Sequence, residues 1–142
     1  MKKLPAIYLL QIIESFTGSL IGIFIPIYIL ISGYTLTQVF IYLLVHSIGA
    51  LIFFLVAGHI SSRLGLRNLI FLRLPFLFLY LIILYYLAEL KIPIFILALI
   101  NDIQLAFLWY PLHVYFTRHS HEKNLGRELG YLMALPKFIS IL

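Results

Sequence analysis

A run of 48 residues without a charged side chain, from Ser15 through Ser62, constrains this chain more than any other feature. One membrane crossing needs about 20 apolar residues, so the run holds two crossings with a short turn between them. Residues 32–37, SGYTLT, are the natural turn, because Gly33 can end the first helix and Thr35 or Thr37 can cap the second. Only 11% of the residues are charged, whereas a soluble domain carries roughly 25%. The lipid bilayer is therefore the expected solvent.

Five apolar segments predict an all-α, polytopic membrane protein with four full transmembrane helices and an incomplete fifth. Segments of this length, without alternation of apolar and polar residues, are not typical of a β-barrel. The last segment contains Pro136 and Lys137 and is short of a full crossing, so we expect residues 1–142 to be one N-terminal transmembrane bundle of a longer protein. The segments cover residues 4–31, 37–61, 68–88, 92–117 and 128–142.

Basic residues mark one side of the predicted bundle. Eight of the ten cations fall there, whereas Lys91 stands beside Glu89 on the other side. The positive-inside rule predicts a multi-pass protein of the cell membrane with its N-terminus in the cytoplasm. Cations at the ends of apolar segments indicate contact with an anionic leaflet and not with nucleic acid. The eight are Lys2, Lys3, Arg63, Arg67, Arg73, Arg118, Lys123 and Arg127.

Two acidic residues are predicted to lie near the middle of the membrane. Glu14 lies about 16 Å along a helix from Lys3, and Asp102 lies about 24 Å before Arg118. Burying a charged side chain at mid-bilayer costs at least about 2.5–3.5 kcal/mol, so both are candidate functional residues. We expect them to meet a substrate or a coupling proton, because a carboxyl group in an apolar cavity can exchange a proton near neutral pH.

Other polar and small residues leave alternatives open. His46 is predicted at membrane depth, either as a third cavity residue or as a neutral, hydrogen-bonded one. Asn101 and Gln104 beside Asp102 favour a polar brace between helices as the alternative to a functional site. No metal or cofactor is expected, because the chain has no cysteine and the histidines of residues 118–123 lack a third ligand. A GxxxG pattern at residues 18–22 permits close helix contact.

Residues 58–68, GHISSRLGLRN, are the predicted turn between the second and third helices. Gly58 lets the end of the second helix approach a neighbour closely. Gly65 provides a backbone conformation for a tight reversal. Arg63 and Arg67 are expected to hold the turn at the lipid headgroups.

This turn resembles the loop motif of the major facilitator superfamily of transporters, Gly-x-x-x-Asp-(Arg/Lys)-x-Gly-(Arg/Lys)-(Arg/Lys). Ser62 stands where the family has Asp, and Leu66 replaces one basic residue. Residues 124–135, NLGRELGYLMAL, are similar to the Arg-Gly-Arg-x-x-Gly-x-x-x-Ala motif at the start of the family's fifth helix, with Leu125 in place of the first Arg. The matching residues are Gly58, Arg63, Gly65 and Arg67 in the turn, and Gly126, Arg127, Gly130 and Ala134 in the later motif.

The resemblance implies a major-facilitator-like N-terminal bundle, which is the first part of a twelve-helix carrier. It implies a cytoplasmic gate at the turn, in which Ser62 accepts a hydrogen bond from Arg118 more weakly than a carboxylate would. It also implies that the first and fourth helices line a central cavity, which Glu14 and Asp102 would face. The function implied is transport of a small solute by a proton-coupled secondary carrier, with the C-terminal half as partner.

Two other functions remain open on the sequence. A small dimeric multidrug carrier of four helices also depends on one acid in its first helix, a role that Glu14 could fill. A non-transporting membrane subunit would use its polar residues only to pair with a partner's helices. An enzyme is not expected, because no HExxH, GxSxG or phosphate-handling motif occurs.

Overall fold

The computed structural model describes residues 4–119 together with 126, 130 and 134, and this part of the chain is helical without a strand. Four of its helices are each long and apolar enough to cross a membrane, so the chain is an α-helical membrane protein. The predicted segment 128–142 and Arg127 lie outside the described residues, although Gly126 and Gly130 are helical. The helices are α1 (Leu4–Ile31), α2 (Leu36–Leu64), α3 (Leu66–Tyr85), the single turn α4 (Leu87–Leu90) and α5 (Ile94–His119).

Helix α5 differs from the other three long helices in how much of it is buried. Of its most apolar stretch 56% is buried, against at most 17% in each of α1, α2 and α3. The outer faces of those three carry large exposed apolar side chains, such as Ile23, Leu55 and Phe78. Such faces suit acyl chains and would be unfavourable in water. The polar residues Asn101, Asp102 and Gln104 of α5 are all buried.

The chain forms two compact units, one of Met1–Pro26 with Leu112–Leu142 and the other of Ile27–Pro111. Both boundaries fall at a proline inside a long helix, Pro26 in α1 and Pro111 in α5. A proline removes one backbone hydrogen bond and crowds the preceding turn, so it is a natural place for a helix to bend. In the first unit, Leu112 and Phe116 are buried and Glu14 is half-buried.

The apolar core of the second unit joins α5 to both α2 and α3. Ala106 and Phe107 of α5 form a cluster with Ala57 of α2 and Leu69 of α3. The ring of Phe107 meets that of Phe76 edge-on, with centroids 5.7 Å apart. Alanine at the contact allows neighbouring helices to approach closely. The core therefore fixes α5 against the pair formed by α2 and α3.

The turn between α2 and α3 is much shorter than the predicted span of residues 58–68. Helix α2 continues to Leu64, and Gly65 alone separates it from α3, with φ 82° and ψ 154°. The positive φ of Gly65 confirms the prediction for this residue, because side-chain-bearing residues rarely adopt it. The predicted helix ends near residues 61 and 68 differ from the observed ends by three and two residues, and Ser61 and Ser62 donate to backbone carbonyls one turn earlier and remain helical.

The glycines in the long helices differ in how closely other residues approach them. A Cβ built at Gly58 would lie 3.3 Å from the ring and hydroxyl of Tyr110, which confirms the predicted close approach of α2 to a neighbour, here α5. Nothing in the described part of the chain lies within 4 Å of a Cβ built at Gly18 or Gly22. The GxxxG pattern in α1 therefore marks no close contact among the described residues.

The opposite end of the second unit is held together by Tyr34. Its hydroxyl donates to the carbonyl of Ile92 at 2.7 Å and lies 3.2 Å from that of Leu87. Burial raises the pKa of Tyr34, so the phenol stays a donor throughout the physiological range. The α1–α2 turn and the connection from α3 to α5 therefore lie at the same end, as the predicted up-and-down order of helices requires.

The same end also shows how the third predicted segment is divided into two helices. Helix α3 stops at Tyr85 and not near residue 88, and α4 adds one turn that ends at Lys91 with φ 48° and ψ 43°. Since Lys91 takes a left-handed conformation, the chain turns sharply there before α5 begins at Ile94.

Candidate functional site

His46 and Asp102 form a hydrogen-bonded pair between α2 and α5. The Nδ1 of His46 meets the Oδ1 of Asp102, and the two residues lie in the second unit. His46 is ten residues past Leu36, or about 15 Å along α2, and Asp102 is eight residues past Ile94, or about 12 Å along α5. The pair thus lies well inside two helices of membrane-spanning length. Two of the three predicted cavity residues are in contact.

The two partners differ sharply in their exposure. The carboxyl side chain of Asp102 is 0% exposed and the imidazole of His46 is 35% exposed. An ionised carboxylate only accepts hydrogen bonds, so while Asp102 is ionised the Nδ1 of His46 carries the hydrogen in this contact. An unpaired carboxylate in such an enclosed position would be strongly destabilising. The imidazole therefore stabilises the charge of Asp102.

Gly49 allows the carboxyl group of Asp102 to lie against the backbone of α2. Gly49 is buried and follows His46 by three residues, so both lie on the same face of the helix. A Cβ built at Gly49 would collide with the Oδ2 of Asp102 and lie 3.0 Å from its Cγ. Sequence reasoning missed Gly49, because a lone glycine in an apolar helix has no pattern around it.

Two tyrosines enclose the pair, and sequence reasoning missed both of them. Tyr42, one turn before His46, stacks its ring on the imidazole with centroids 6.1 Å apart and planes at 10°. The hydroxyl of Tyr42 lies close to the polar side chains of Tyr80 on α3 and Asn101 on α5. Tyr80 is only 4% exposed. Tyrosines in membrane helices are usually interfacial, so only their position on the buried faces reveals this role.

Arg73 extends the polar cluster to α3. Its Nε donates to the Oε1 of Gln104 at 3.1 Å, and the Nε2 of Gln104 donates to the Oδ1 of Asn101 at 3.0 Å. The sequence placed Arg73 among the cations on one side of the bundle, and the structure adds a contact with buried residues of α5. Arg73 is seven residues past Leu66, or about 10 Å along α3, and its side chain reaches the buried amides of α5.

Two buried polar atoms of the cluster lack a hydrogen-bond partner in the described part of the chain. They are the Oδ2 of Asp102 and the hydroxyl of Tyr80. A buried polar group left unpaired costs about 1–3 kcal/mol, so it is usually retained for a reason other than stability. Among the described residues, no group of three or more His, Cys, Asp or Glu side chains is arranged to hold a metal ion. The cluster can exchange protons or bind a small polar ligand.

The remaining predicted cavity residue, Glu14, lies ten residues into α1 in the first unit and is half-buried. Its predicted place in one cavity with Asp102 stays a prediction. Within the first unit, Gln11 one turn earlier is 5% exposed. Polar side chains therefore also occur inside the membrane-length part of α1.

The predicted gate residues have separate local roles. The hydroxyl of Ser62 donates to the carbonyl of His59 at 2.6 Å, within its own helix. Arg63 is exposed, and the guanidinium of Arg67 lies 5.8 Å from the ring centroid of Phe71. Arg118 is exposed near the end of α5, in the first unit. The hydrogen bond expected between Ser62 and Arg118 stays a prediction.

Comparison with known proteins gives no relative: neither a protein-family model, nor a curated protein, nor a solved structure matches the chain. The fold and the site therefore define its class. It is an α-helical membrane protein with a paired acid and imidazole inside the helical bundle of its second unit. The resemblance of residues 58–67 and 125–134 to the major facilitator superfamily stays a prediction.

Proposed function

We propose that this chain is the N-terminal helical bundle of a secondary carrier of the major facilitator type, which moves a small solute across the cell membrane with protons as the coupling ion. The observation that carries the proposal is the pair formed by His46 and the fully buried Asp102. A buried ion pair is a poor device for stability, because apolar residues of similar volume often stabilise a core equally well. Ionisable residues inside membrane helices usually serve a pathway for protons, ions or substrates.

The polar cluster around the pair supports the same proposal. It joins three helices of membrane-spanning length through Tyr42 and His46 on α2, Arg73 on α3 and the amides of α5. Polar contacts that join several helices at this depth suit a site whose ligand is held and released by small shifts of the helices.

The two sequence motifs support the family part of the proposal. In it, the Gly65 turn and the N-terminus lie in the cytoplasm, and the Tyr34 end lies outside. The bundle forms one wall of a cavity that opens alternately to the two sides, and a second bundle forms the other wall. No bond in the solute is made or broken, so the protein is not an enzyme.

Proton binding would act on this bundle through charge. With one proton in the His46–Asp102 contact the pair carries one negative charge, and with a second proton it is neutral. The free-energy cost of a net charge on the pair rises as the surrounding helices exclude water from it. The two protonation states therefore favour different packing of α2 against α5, and a ligand shifts such an equilibrium by its difference in affinity for the two arrangements.

Proton-linked flux in liposomes tests the proposal. The protein, expressed from its complete gene, is reconstituted with a pH-sensitive dye inside, and a panel of sugars, amino acids, organic acids and amphiphilic cations is added outside. We expect one class to cause a proton flux that the D102N and H46Q variants lose. H59Q is the matched control, since His59 is exposed on the same helix. Absence of flux of any solute with the wild-type protein would refute transport and favour a bracing membrane subunit.

A further inference from the structure

The contact between His46 and Asp102 limits where a second proton can bind. While Asp102 is ionised, one proton lies between Nδ1 and Oδ1, because a carboxylate has no hydrogen to donate. The remaining sites on the pair are the Nε2 of His46 and the Oδ2 of Asp102. The atom that accepts this proton identifies the residue that couples proton binding to transport.

The Oδ2 of Asp102 is poorly placed to accept a proton. The side chain is 0% exposed and its Oδ2 lies against the backbone at Gly49. A hydroxyl formed there would need an acceptor, and Oδ2 has no hydrogen-bonding partner among the described residues. Water could reach this atom only if α2 and α5 moved apart.

The imidazole of His46 is exposed by comparison. The imidazole is 35% exposed, and its hydrogen bond to Asp102 is made by Nδ1. The ring of Tyr42 stacks on the imidazole with centroids 6.1 Å apart. With Nδ1 protonated, Nε2 carries the lone pair of the neutral imidazole.

We propose that the Nε2 of His46 is the atom that accepts the coupling proton, and that Asp102 acts as a positioning residue that keeps the hydrogen on Nδ1 and balances the imidazolium charge. This inference rests on the proposed function of proton-coupled transport. In the binding step a hydronium ion transfers its proton to the lone pair of Nε2, one N–H bond forms, one O–H bond breaks, and water leaves. Release is the reverse step.

The titratable and charged groups around His46 are consistent with this assignment. Asp102 faces it from α5, Tyr42 from α2 and Tyr80 through Tyr42 from α3. Arg73, also on α3, reaches the same cluster through the amides of Gln104 and Asn101. The two tyrosines are neutral donors at physiological pH, so Asp102 is the nearest compensating charge for an imidazolium.

The tautomer of His46 tests the inference directly. The full chain, labelled with ¹⁵N at histidine and held in lipid nanodiscs, is followed by two-bond ¹⁵N–¹H correlation spectra as the pH is lowered. The H46Q spectrum assigns the signal, and H59Q serves as the control for an exposed histidine. We expect Nδ1 to be protonated at both ends of the titration and Nε2 to gain its proton during it.

Two results would overturn the inference. One is a neutral His46 whose hydrogen is on Nε2, and the other is a His46 that keeps one protonation state over the pH range in which flux is proton-linked. In D102N we expect the preference for hydrogen on Nδ1 to be lost, and its retention would also overturn the inference. Should D102N fail to fold, the wild-type tautomer decides alone.

Flux measurements separate failure of this inference from failure of the proposed function. A wild-type protein without any solute flux refutes the carrier, whatever the spectra show. A wild-type carrier with proton-linked flux that H46Q leaves intact refutes His46 as the acceptor and leaves the carrier standing. Loss of proton coupling in H46Q, with solute exchange down its own gradient retained, supports the assignment.

Discussion

The carboxyl group of Asp102 can lie against α2 only because residue 49 has no side chain. The nearest turn of α2 carries His46, so the same close approach that needs Gly49 also brings the imidazole to the acid. At the residue scale, one missing methyl group thus determines whether the candidate site can form. Gly65 has a comparable effect on the backbone, since its φ of 82° allows α2 and α3 to be separated by one residue.

Substituting Gly49 by alanine tests this dependence. We expect G49A to lower the stability of the bundle by about 1–3 kcal/mol, because the new methyl group overlaps the carboxylate and forces α2 and α5 apart. Thermal unfolding in detergent, followed by circular dichroism, measures the loss. G22A is the matched control, and we expect it to be neutral or slightly stabilising because nothing described lies within 4 Å of that site. Equal midpoints for the two variants would contradict the close contact.

At the scale of the helices, the boundaries depend on local hydrogen bonds. Helix α2 begins with a capping box, in which the hydroxyl of Thr35 accepts from the N–H of Gln38 and the side chain of Gln38 accepts from the N–H of Thr35. The sequence left Thr35 and Thr37 open as the capping residue, and the structure selects Thr35. Its partner Gln38, three residues later, was the signal that distinguishes the two.

Alanine substitution at each threonine tests the cap. We expect T35A to cost about 0.5–2 kcal/mol, because a backbone N–H at the start of α2 loses its acceptor. T37A removes an exposed hydroxyl inside the first turn, and we expect a change within about 0.5 kcal/mol. Thermal midpoints of the two variants in the same detergent give the comparison. A larger loss for T37A would mean that α2 starts later than the structure has it.

At the scale of the whole molecule, the distribution of charge sets the proposed orientation in the membrane. The chain contains no cysteine, so a single introduced cysteine reports on one site. We expect E89C, in the connection between α3 and α5, to react with a membrane-impermeant maleimide in intact cells. We expect N68C, just after the Gly65 turn, to react only after the membrane is made permeable. Both side chains are exposed.

The labelling pattern distinguishes the proposed orientation from its rivals. The reverse pattern would place the N-terminus outside and contradict the positive-inside assignment. Labelling of both positions in intact cells would indicate insertion in two orientations, as expected for the small dimeric carrier. The cysteine-free wild-type chain is the control for background reaction in each case.

Much of the helical architecture could be predicted from the sequence, because in a bilayer each backbone must satisfy its own hydrogen bonds and apolar length alone shows where a helix can cross. The two crossings in the uncharged run from Ser15 follow from this reasoning, and the turns at Gly33 and Gly65 follow from the freedom of glycine to adopt a positive φ. Asp102 and His46 were recognisable as candidates because ionisable side chains are costly at that depth. The ends of α2 and α3 were less predictable, since side-chain hydrogen bonds extend or end a helix by a few residues.

The partners of those candidates depended on the packing of helices far apart in the chain. His46 and Asp102 are 56 residues apart, and Arg73 and Gln104 are 31 apart. Their contact depends on which faces of α2, α3 and α5 meet, and apolar helices whose outer faces are as apolar as their inner ones carry no periodic signal for it. The sequence by itself therefore determined the membrane helices and the ionisable residues that are unfavourable inside them. Only the tertiary structure decided that a glycine, two tyrosines and an arginine join the acid and the imidazole.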